Sequence, residues 1–417
     1  MNIFSFVYLA VFLLAGFCIA RRALPQAGLS VSIPLGCGFG VSLLAFVPAC
    51  FAVVLGFRLP ALLLAVAVVA ALAVWLARHG TPFTRVPDPD AAALWACVLP
   101  LAVVTLYLLH THVLHLVDGS YHTGQSCYGD MAMHLGFIKN IAVTGKLPPV
   151  YPLLGGEHRF GYPFLCETVS SVFRLLGAGR RAAYLLPMVP AFVSVYGMFW
   201  QLARRMLGSA GKACLAFYLF FMGSGFGFVY FLKDAATFKG IFTGFYTTPT
   251  NYTTKNIVWV NPIVDLLIPQ RATLFGWSIL LPCLYLLYRM AFAGEWKYAP
   301  YLGVLAGGLP LLHTHSFLAL FVLSAGAFVR QLFLDARLWK KFVPYALLAA
   351  VLALPQLWKF TFAQADNAGF LHLSFNWVNQ EDPYLWFYIK NIGVVFLLLP
   401  FALLSEKRLR GFWLSAL

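Results

Sequence analysis

Residues 3–20, IFSFVYLAVFLLAGFCIA, run for eighteen residues without one charged side chain. Runs of this kind recur along the chain and restrict its fold more than any other feature. A segment that long and apolar belongs in lipid, where every backbone N–H and C=O must find a partner within the chain. Only helices and closed barrels meet that demand, and these runs are continuous rather than short alternating strands. The pattern predicts spans over 3–20, 31–56, 60–77, 92–110, 183–203, 211–231, 271–290, 298–312, 315–333, 342–357 and 387–404, with a further apolar stretch beginning at 409–417. Composition agrees: 61% of residues are hydrophobic, 10% are charged, and mean hydropathy is +0.81. A soluble protein of this size carries far more charge on its surface. The expected class is all-α, a polytopic transmembrane helical bundle of 11–12 spans. The first run is followed by Arg21-Arg22 and lacks both a basic leader and a small-x-small cleavage site, so it reads as a retained span.

The net charge of +15 does not point to nucleic acid, because the basic residues lie in short clusters between apolar runs. Such clusters set orientation. With the N-terminus outside, the inner segments hold sixteen basic residues (Arg21, Arg22, Arg78, Arg85, Arg204, Arg205, Lys212, Arg289, Lys297, Arg330, Arg337, Lys340, Lys341, Lys407, Arg408 and Arg410) against five acids (Asp88, Asp90, Glu295, Asp335 and Glu406). The outer segments hold thirteen basic residues against nine acids. Residues 163–178, PFLCETVSSVFRLLGA, are short and contain Glu167 and Arg174. A span there would invert every later loop, so they read as an interfacial helix that does not cross. The outer loops are then 111–182, 232–270 and 358–386, and any chemistry belongs on that face. Walker, paired CxxC and HExxH motifs are missing, which argues against an ATP-driven pump and a zinc hydrolase.

The stretch CYGDMAMHLGFIKNIAVTGKLPPVYP, 127–152, carries an apolar stripe of Met131, Leu135, Ile138 and Ile141. Asp130 serves as its N-cap or first-turn acid, His134 stands one turn on, and Gly145 with Pro148-Pro149 stops the helix. This is either a capped interfacial helix or an acid held rigidly at the membrane surface. Arg271, in IPQRATLFGWS, lies at the outer end of a span, where a guanidinium either forks onto phosphate oxygens or snorkels to the headgroups. Arg180-Arg181 offer a second cationic pair. His110, His112, His115, His122, His134, His158, His313, His315 and His372 fall on the outer side, with only His79 inside. Their spacing fits no metal-ligand motif, and polar donors lining a sugar or phosphate pocket are the better reading. FNWVNQEDPYLW, 375–386, suits either carbohydrate stacking or an aromatic belt. Cys127 and Cys166, both in the first outer loop, leave a disulfide open.

The succession GDMAMHLGFIKNIAVTGKLPPVYP, HRFGYPFLCETVSSVFRLLGAG and YLLPMVPAFVSVYGMFWQLARRMLG resembles the GT-C superfamily of membrane glycosyltransferases. That superfamily includes protein O-mannosyltransferases, oligosaccharyltransferase catalytic subunits and lipid A aminoarabinose transferases. The likeness covers residues 92–240, so the chain divides into extra N-terminal spans over 1–91 and a GT-C-like domain over 92–417. Two features depart from the family pattern: three spans precede the one that should come first, and the outer loops hold no clean Asp-x-Asp. The resemblance implies transfer of a sugar from a polyprenyl-phosphate carrier to a glycan, lipid or protein acceptor on the outer face of a cytoplasmic membrane. It places Asp130 as the catalytic or metal-proximal acid and Asp234 as its supporting acid. Arg271 and His315 would face the phosphate, with His134, Tyr162, Arg180 and His313 as further substrate-binding groups. No metal ligand set is assigned, and a divalent metal ion is the one cofactor the family admits. The rival reading is a transporter or flippase for a lipid-linked or metal substrate, which should carry ionisable residues in mid-span.

Overall fold

The computed structural model describes residues 3–80, 86–124, 127–152, 162–223, 225–234, 250–362 and 374–405. The chain is an all-α, multi-span membrane protein. Among the described residues eight helical segments are long and apolar enough to cross a bilayer: Ile3–Ala23, Leu29–Leu55, Leu59–His79, Ala91–His112, Arg180–Leu207, Arg271–Phe292, Thr314–Leu334 and Ala336–Phe362. The first four are single helices, α1 to α4. The first outer loop follows, with a hairpin of β1 (His115–Val117) and β2 (Ser120–His122), then α5 (Cys127–Thr144) and α6 (Leu165–Leu175). The hairpin turns at Asp118 and Gly119, whose φ values of 48° and 80° are those a tight two-residue turn requires. A span made of α7 (Arg180–Leu185) and α8 (Met188–Leu207) is followed by α9 (Ala210–Phe221) and α10 (Gly227–Lys233). The remainder is α11 (Arg271–Leu287), α12 (Ala299–Gly307), α13 (Thr314–Leu334), α14 (Trp339–Gln356), α15 (Tyr384–Ile392) and α16 (Val394–Ser405).

α2 is the central post. Apolar side chains gain little by leaving lipid for one another, so helices in a bilayer associate where small residues let their backbones close in. A Cβ added at Gly16 of α1 would lie 2.3 Å from both the Gly36 carbonyl and the Gly40 nitrogen of α2. At Gly38, on the same helix, it would meet Ser278 of α11 and Ser194 of α8 within 2.9 Å. The N-terminal spans are therefore packed into the body of the bundle, against the helices that carry the outer loops.

The two ends of the bundle are tied by polar contacts that respect the charge asymmetry. At one end Arg22 donates to the His79 carbonyl (3.1 Å), and Asp88 accepts from the Ser30 nitrogen and hydroxyl (2.7 and 2.8 Å). Arg204 pairs with Asp90 (3.1 Å), while Arg205 and Arg289 share Glu295 (2.9 and 2.6 Å). Gln331 donates to the Ala291 carbonyl. Loops expected on the inner side thus meet one another. At the opposite end the Phe57 nitrogen donates to Gly145 (2.7 Å), Arg181 to the His110 carbonyl (2.8 Å) and Asn256 to Asp382 (2.7 Å). Arg85, Lys407, Arg408, Arg410, Glu406 and the 409–417 stretch lie outside the described residues.

Three expected spans differ. The segment 211–231 breaks into α9 and α10 around Gly223 and Gly225, and 298–312 holds only the nine-residue α12 before Gly307-Gly308 and Pro310 end it. The segment 387–404 bends by 100° at Gly393, between α15 and α16. Glycines with positive φ or no side chain interrupt the helix without lowering local hydropathy, so an apolar run did not guarantee one straight rod. The expectation for 163–178 also changes. α6 is too short to cross, at about 17 Å, yet it does not lie on the surface: every residue from Leu165 to Phe173 is buried, with α2, α5, α7 and α11 around it.

The orientation has a direct check. With the exposed native thiol Cys50 first changed to Ser, Ser120→Cys should react with an impermeant maleimide on intact cells, and Arg337→Cys only after permeabilisation. Equal labelling of both from outside would reject the scheme.

Candidate functional site

The centre of the outer half is a carboxylate with no surface. Glu167, on α6, is completely buried. Leaving such a charge unmatched costs several kcal/mol, so it has to be paired. His134 of α5 supplies a 2.7 Å contact from Nδ1 to Glu167 Oε1. Arg271, also completely buried at the start of α11, brings Nε to 3.5 Å from Oε2, an ionic contact longer than a hydrogen bond. The rest of that guanidinium is occupied. Nη1 donates to the Tyr184 carbonyl (2.9 Å), and Nη2 to Ser170 Oγ (2.6 Å) and the Cys166 carbonyl (3.3 Å). Its flat face lies 4.0 Å from the Tyr184 ring centre.

Burial pushes the Glu167 carboxyl up, but His134 and Arg271 more than offset it and hold it below the ordinary carboxylate range. The side chain is therefore ionised and acts as an anchor for three helices. Among the described residues four buried atoms in this nucleus, His134 Nε2, Glu167 Oε2, Arg271 Nε and the Tyr184 hydroxyl, have no hydrogen-bond partner. Unmet polar capacity of that density is uncommon in a core and marks the place as more than packing.

Toward the outer surface the layer changes from enclosed to open. Tyr162 sets its ring edge-on to His134, with centroids 6.3 Å apart, and beside Phe137 at 5.9 Å. Burial pushes the Tyr162 phenol up, and the charges of Glu167 and Asp130 add to this, so it stays neutral. Asp130 is exposed. α5 begins at Cys127, so Asp130 is a first-turn acid rather than the cap. Among the described residues its carboxylate has neither a hydrogen bond nor an ion pair. The stripe that buries α5 is Met131, His134, Phe137, Ile138 and Ile141; Asp130 lies on the same side in the first turn, where it is exposed, while His134 one turn later is locked to Glu167.

The structure brings Asp130, His134, Tyr162 and Arg271 into one column on Glu167, and leaves the other expected site residues elsewhere. Arg271 is enclosed by protein groups and does not present a fork to a phosphate. Arg180 is exposed at the start of α7 and lines a separate cleft. Asp234, at the end of α10, accepts from the Tyr252 hydroxyl (3.0 Å) in the second outer loop. His313 and His315 stand with rings 5.4 Å apart at the start of α13. Burial, with His315 adding, pushes the His313 imidazole down to about 4, so it is neutral at pH 7. A Cβ at Gly276 of α11 would strike its side chain at 2.4 Å, so this glycine makes room for the imidazole one turn beyond Arg271.

Of the remaining histidines, His110 bonds Arg181 and meets the His115 ring edge-on with centres 5.2 Å apart, His112 bonds Thr111, and His158 and His372 lie outside the described residues. Among the described residues no three His, Cys, Asp or Glu side chains come together as metal ligands, so the residues present do not fit a divalent ion and no step is routed through one. In the 375–386 segment Asn379 and Asp382 are bonded to Asn256, while Phe375 and Trp377 are exposed, the arrangement of an aromatic belt. Cys127 and Cys166 are free buried thiols.

Glu167 is the residue the sequence argument missed. Its charge, with Arg174, reads as the polar face of a surface helix. The contrary signal is the run CETVSS, whose small residues make a poor water face and a good close-packed one.

Glu167→Gln leaves Arg271 buried without its counter-charge and should cost about 3–5 kcal/mol at neutral pH. Because the folded carboxyl titrates below its unfolded value of about 4.3, its contribution is complete above that pH and is lost as pH falls through the lower folded value. Thermal unfolding of wild type and Glu167→Gln should therefore differ at pH 7 and converge in acid. A gap independent of pH would mean that Glu167 is not ionised in the fold.

Comparison with known proteins adds no family: no family model, curated protein or solved structure gives a significant match to this chain.

Proposed function

We propose that the chain is a membrane glycosyltransferase of GT-C type, moving a sugar from a polyprenyl-phosphate carrier to an acceptor hydroxyl at the outer face of the membrane. The observation that carries this reading is Asp130: an exposed acid with no hydrogen bond or ion pair among the described residues, one turn ahead of the His134 that clamps its helix to a buried carboxylate. An acid kept free while its scaffold is fixed suits a group that must accept a proton at a defined place.

In the proposed reaction the acceptor oxygen attacks the anomeric carbon as its proton passes to the Asp130 carboxylate. The bond between that carbon and the phosphate oxygen breaks, and the electron pair leaves with the lipid phosphate. The Glu167 nucleus holds α5 in place, with Arg271 as a positioning residue rather than a phosphate ligand. His315, exposed beside neutral His313, is the proposed hydrogen-bond donor to the leaving phosphate, and Asp234 with Tyr252 the proposed wall on the acceptor side.

A transporter reading draws on the broken pairs α9–α10 and α15–α16, whose breaks meet where a Cβ on Gly225 would lie 2.2 Å from the Lys390 and Asn391 carbonyls. The polar groups there bond one another. Lys390 reaches Asp382 and the Lys255 carbonyl, and Asn391 bonds the Asn256 carbonyl and the Val258 nitrogen. Buried charges elsewhere sit at the ends of spans, which favours surface chemistry over a transmembrane pathway.

Asp130→Asn removes the base but keeps the size and polarity of the side chain. Transfer from a lipid-linked donor should fall about 10²–10⁴-fold, while stability changes by less than about 1 kcal/mol, the scale of a first-turn charge on the helix dipole. Full transfer by this variant would remove Asp130 as the base.

A further inference from the structure

A second polar feature lies on α5, away from Asp130. A cleft of about 440 Å³ opens between α5 and the α6–α7 connection. Its rim carries Lys139, Arg174 and Arg180, and its walls include Ala142, Val143 and Leu175. Lys139 is nine residues from Asp130, about 13 Å along the helix axis, so the cleft is separate from the proposed reaction centre. Among the described residues none of the three cations forms an ion pair. Arg174 spends one Nη1 hydrogen on the Ala178 carbonyl, and among the described residues its other donors are uncommitted. Lys139 and Arg180 are exposed, and Val143 beside them is 74% exposed.

Three like charges converging on one cleft repel each other unless an anion joins them. The orientation bias moreover keeps lysine and arginine away from this face, so their gathering here needs its own cause. The ligand must combine negative charge with an apolar body, because the cationic rim is continuous with exposed aliphatic surface on α5. A free oxyanion would use the first and leave the second unexplained.

We propose that this cleft binds the phosphate of an anionic membrane lipid, with the guanidinium groups of Arg174 and Arg180 and the Lys139 ammonium on the phosphate and the acyl chain along Ala142 and Val143. The site couples the outer leaflet to the position of α5, the helix that also carries Asp130 and His134. It does not rest on the transferase reading, since an α5 headgroup site would serve any function of this bundle.

The test uses the full chain in nanodiscs of phosphatidylcholine alone or mixed with phosphatidylglycerol. Phosphatidylglycerol should raise the unfolding temperature of wild type, and a labelled phosphatidylglycerol should bind at least about tenfold more weakly to Lys139→Gln/Arg180→Gln, each cation near an anionic headgroup being worth about that order together. The charge-preserving pair Lys139→Arg/Arg180→Lys should retain binding, which separates lost charge from lost folding. Arg330→Gln, at the inner end, should change neither reading. Equal lipid binding by the Gln pair would overturn the proposal, as would inorganic phosphate reproducing the stabilisation in phosphatidylcholine discs. Transfer by Asp130 variants is read independently, so either idea can fail alone.

Discussion

A buried carboxylate must be matched by charge where it stands, and that requirement organises the outer half of this protein. Glu167 lies on a helix too short to cross the membrane and too enclosed to reach water. His134 and Arg271 come to it from α5 and α11, helices far apart in the chain. Arg271 also donates to backbone carbonyls of α6 and α7, at Cys166 and Tyr184. Removing one member would not subtract one contact. It would strand an ion in a low-dielectric interior, so the group behaves as a unit.

The inner end is built on the opposite principle. Its ion pairs are half-exposed, as with Arg204 and Asp90 at 30% and 29%, and single pairs of that kind contribute little. Their value is in number and placement. The short loops expected on the inner side carry cations, and the same cations find Asp90 and Glu295 across the loops. Stability in this bundle therefore comes mainly from close helix contacts such as Gly16 against α2, while the inner charges set direction and the outer buried charge sets local geometry.

Hydropathy made the long spans legible, because a helix in lipid needs about twenty apolar residues whatever its neighbours are. It could not report backbone direction. At Gly393 the chain bends while remaining apolar, and beside Gly223 and Gly225 another apolar run ends one helix before the next begins, so two expected rods are interrupted. Asp130, His134 and Tyr162 were legible as a group from the order of motifs around them. Arg271 was legible as a residue but not as a contact: a guanidinium at a span's end reads as facing the headgroups, and only the three-dimensional arrangement shows Glu167, Ser170 and Tyr184 closing over it. Pairing across 87 residues, as with Tyr184, or 101, as with Ser170, leaves no periodic trace in a single sequence.

On the proposed reading, Asp130 and Glu167 divide the work along one side of α5. They are separated by one turn through His134, with the Tyr162 ring edge-on to that histidine. Glu167 is ionised because cations enclose it, and it has no freedom to move a proton without loss of the fold. Asp130 has the reverse conditions: it is exposed, it has no fixed counter-ion among the described residues, and it stands in the first turn of a helix, where negative charge is favoured. In the proposed reaction one acid exchanges protons while another holds the structure together, so the two tasks fall to two acids. The same division accounts for His134, which spends Nδ1 on the anchor and leaves Nε2 unbonded between the fixed layer and the open one.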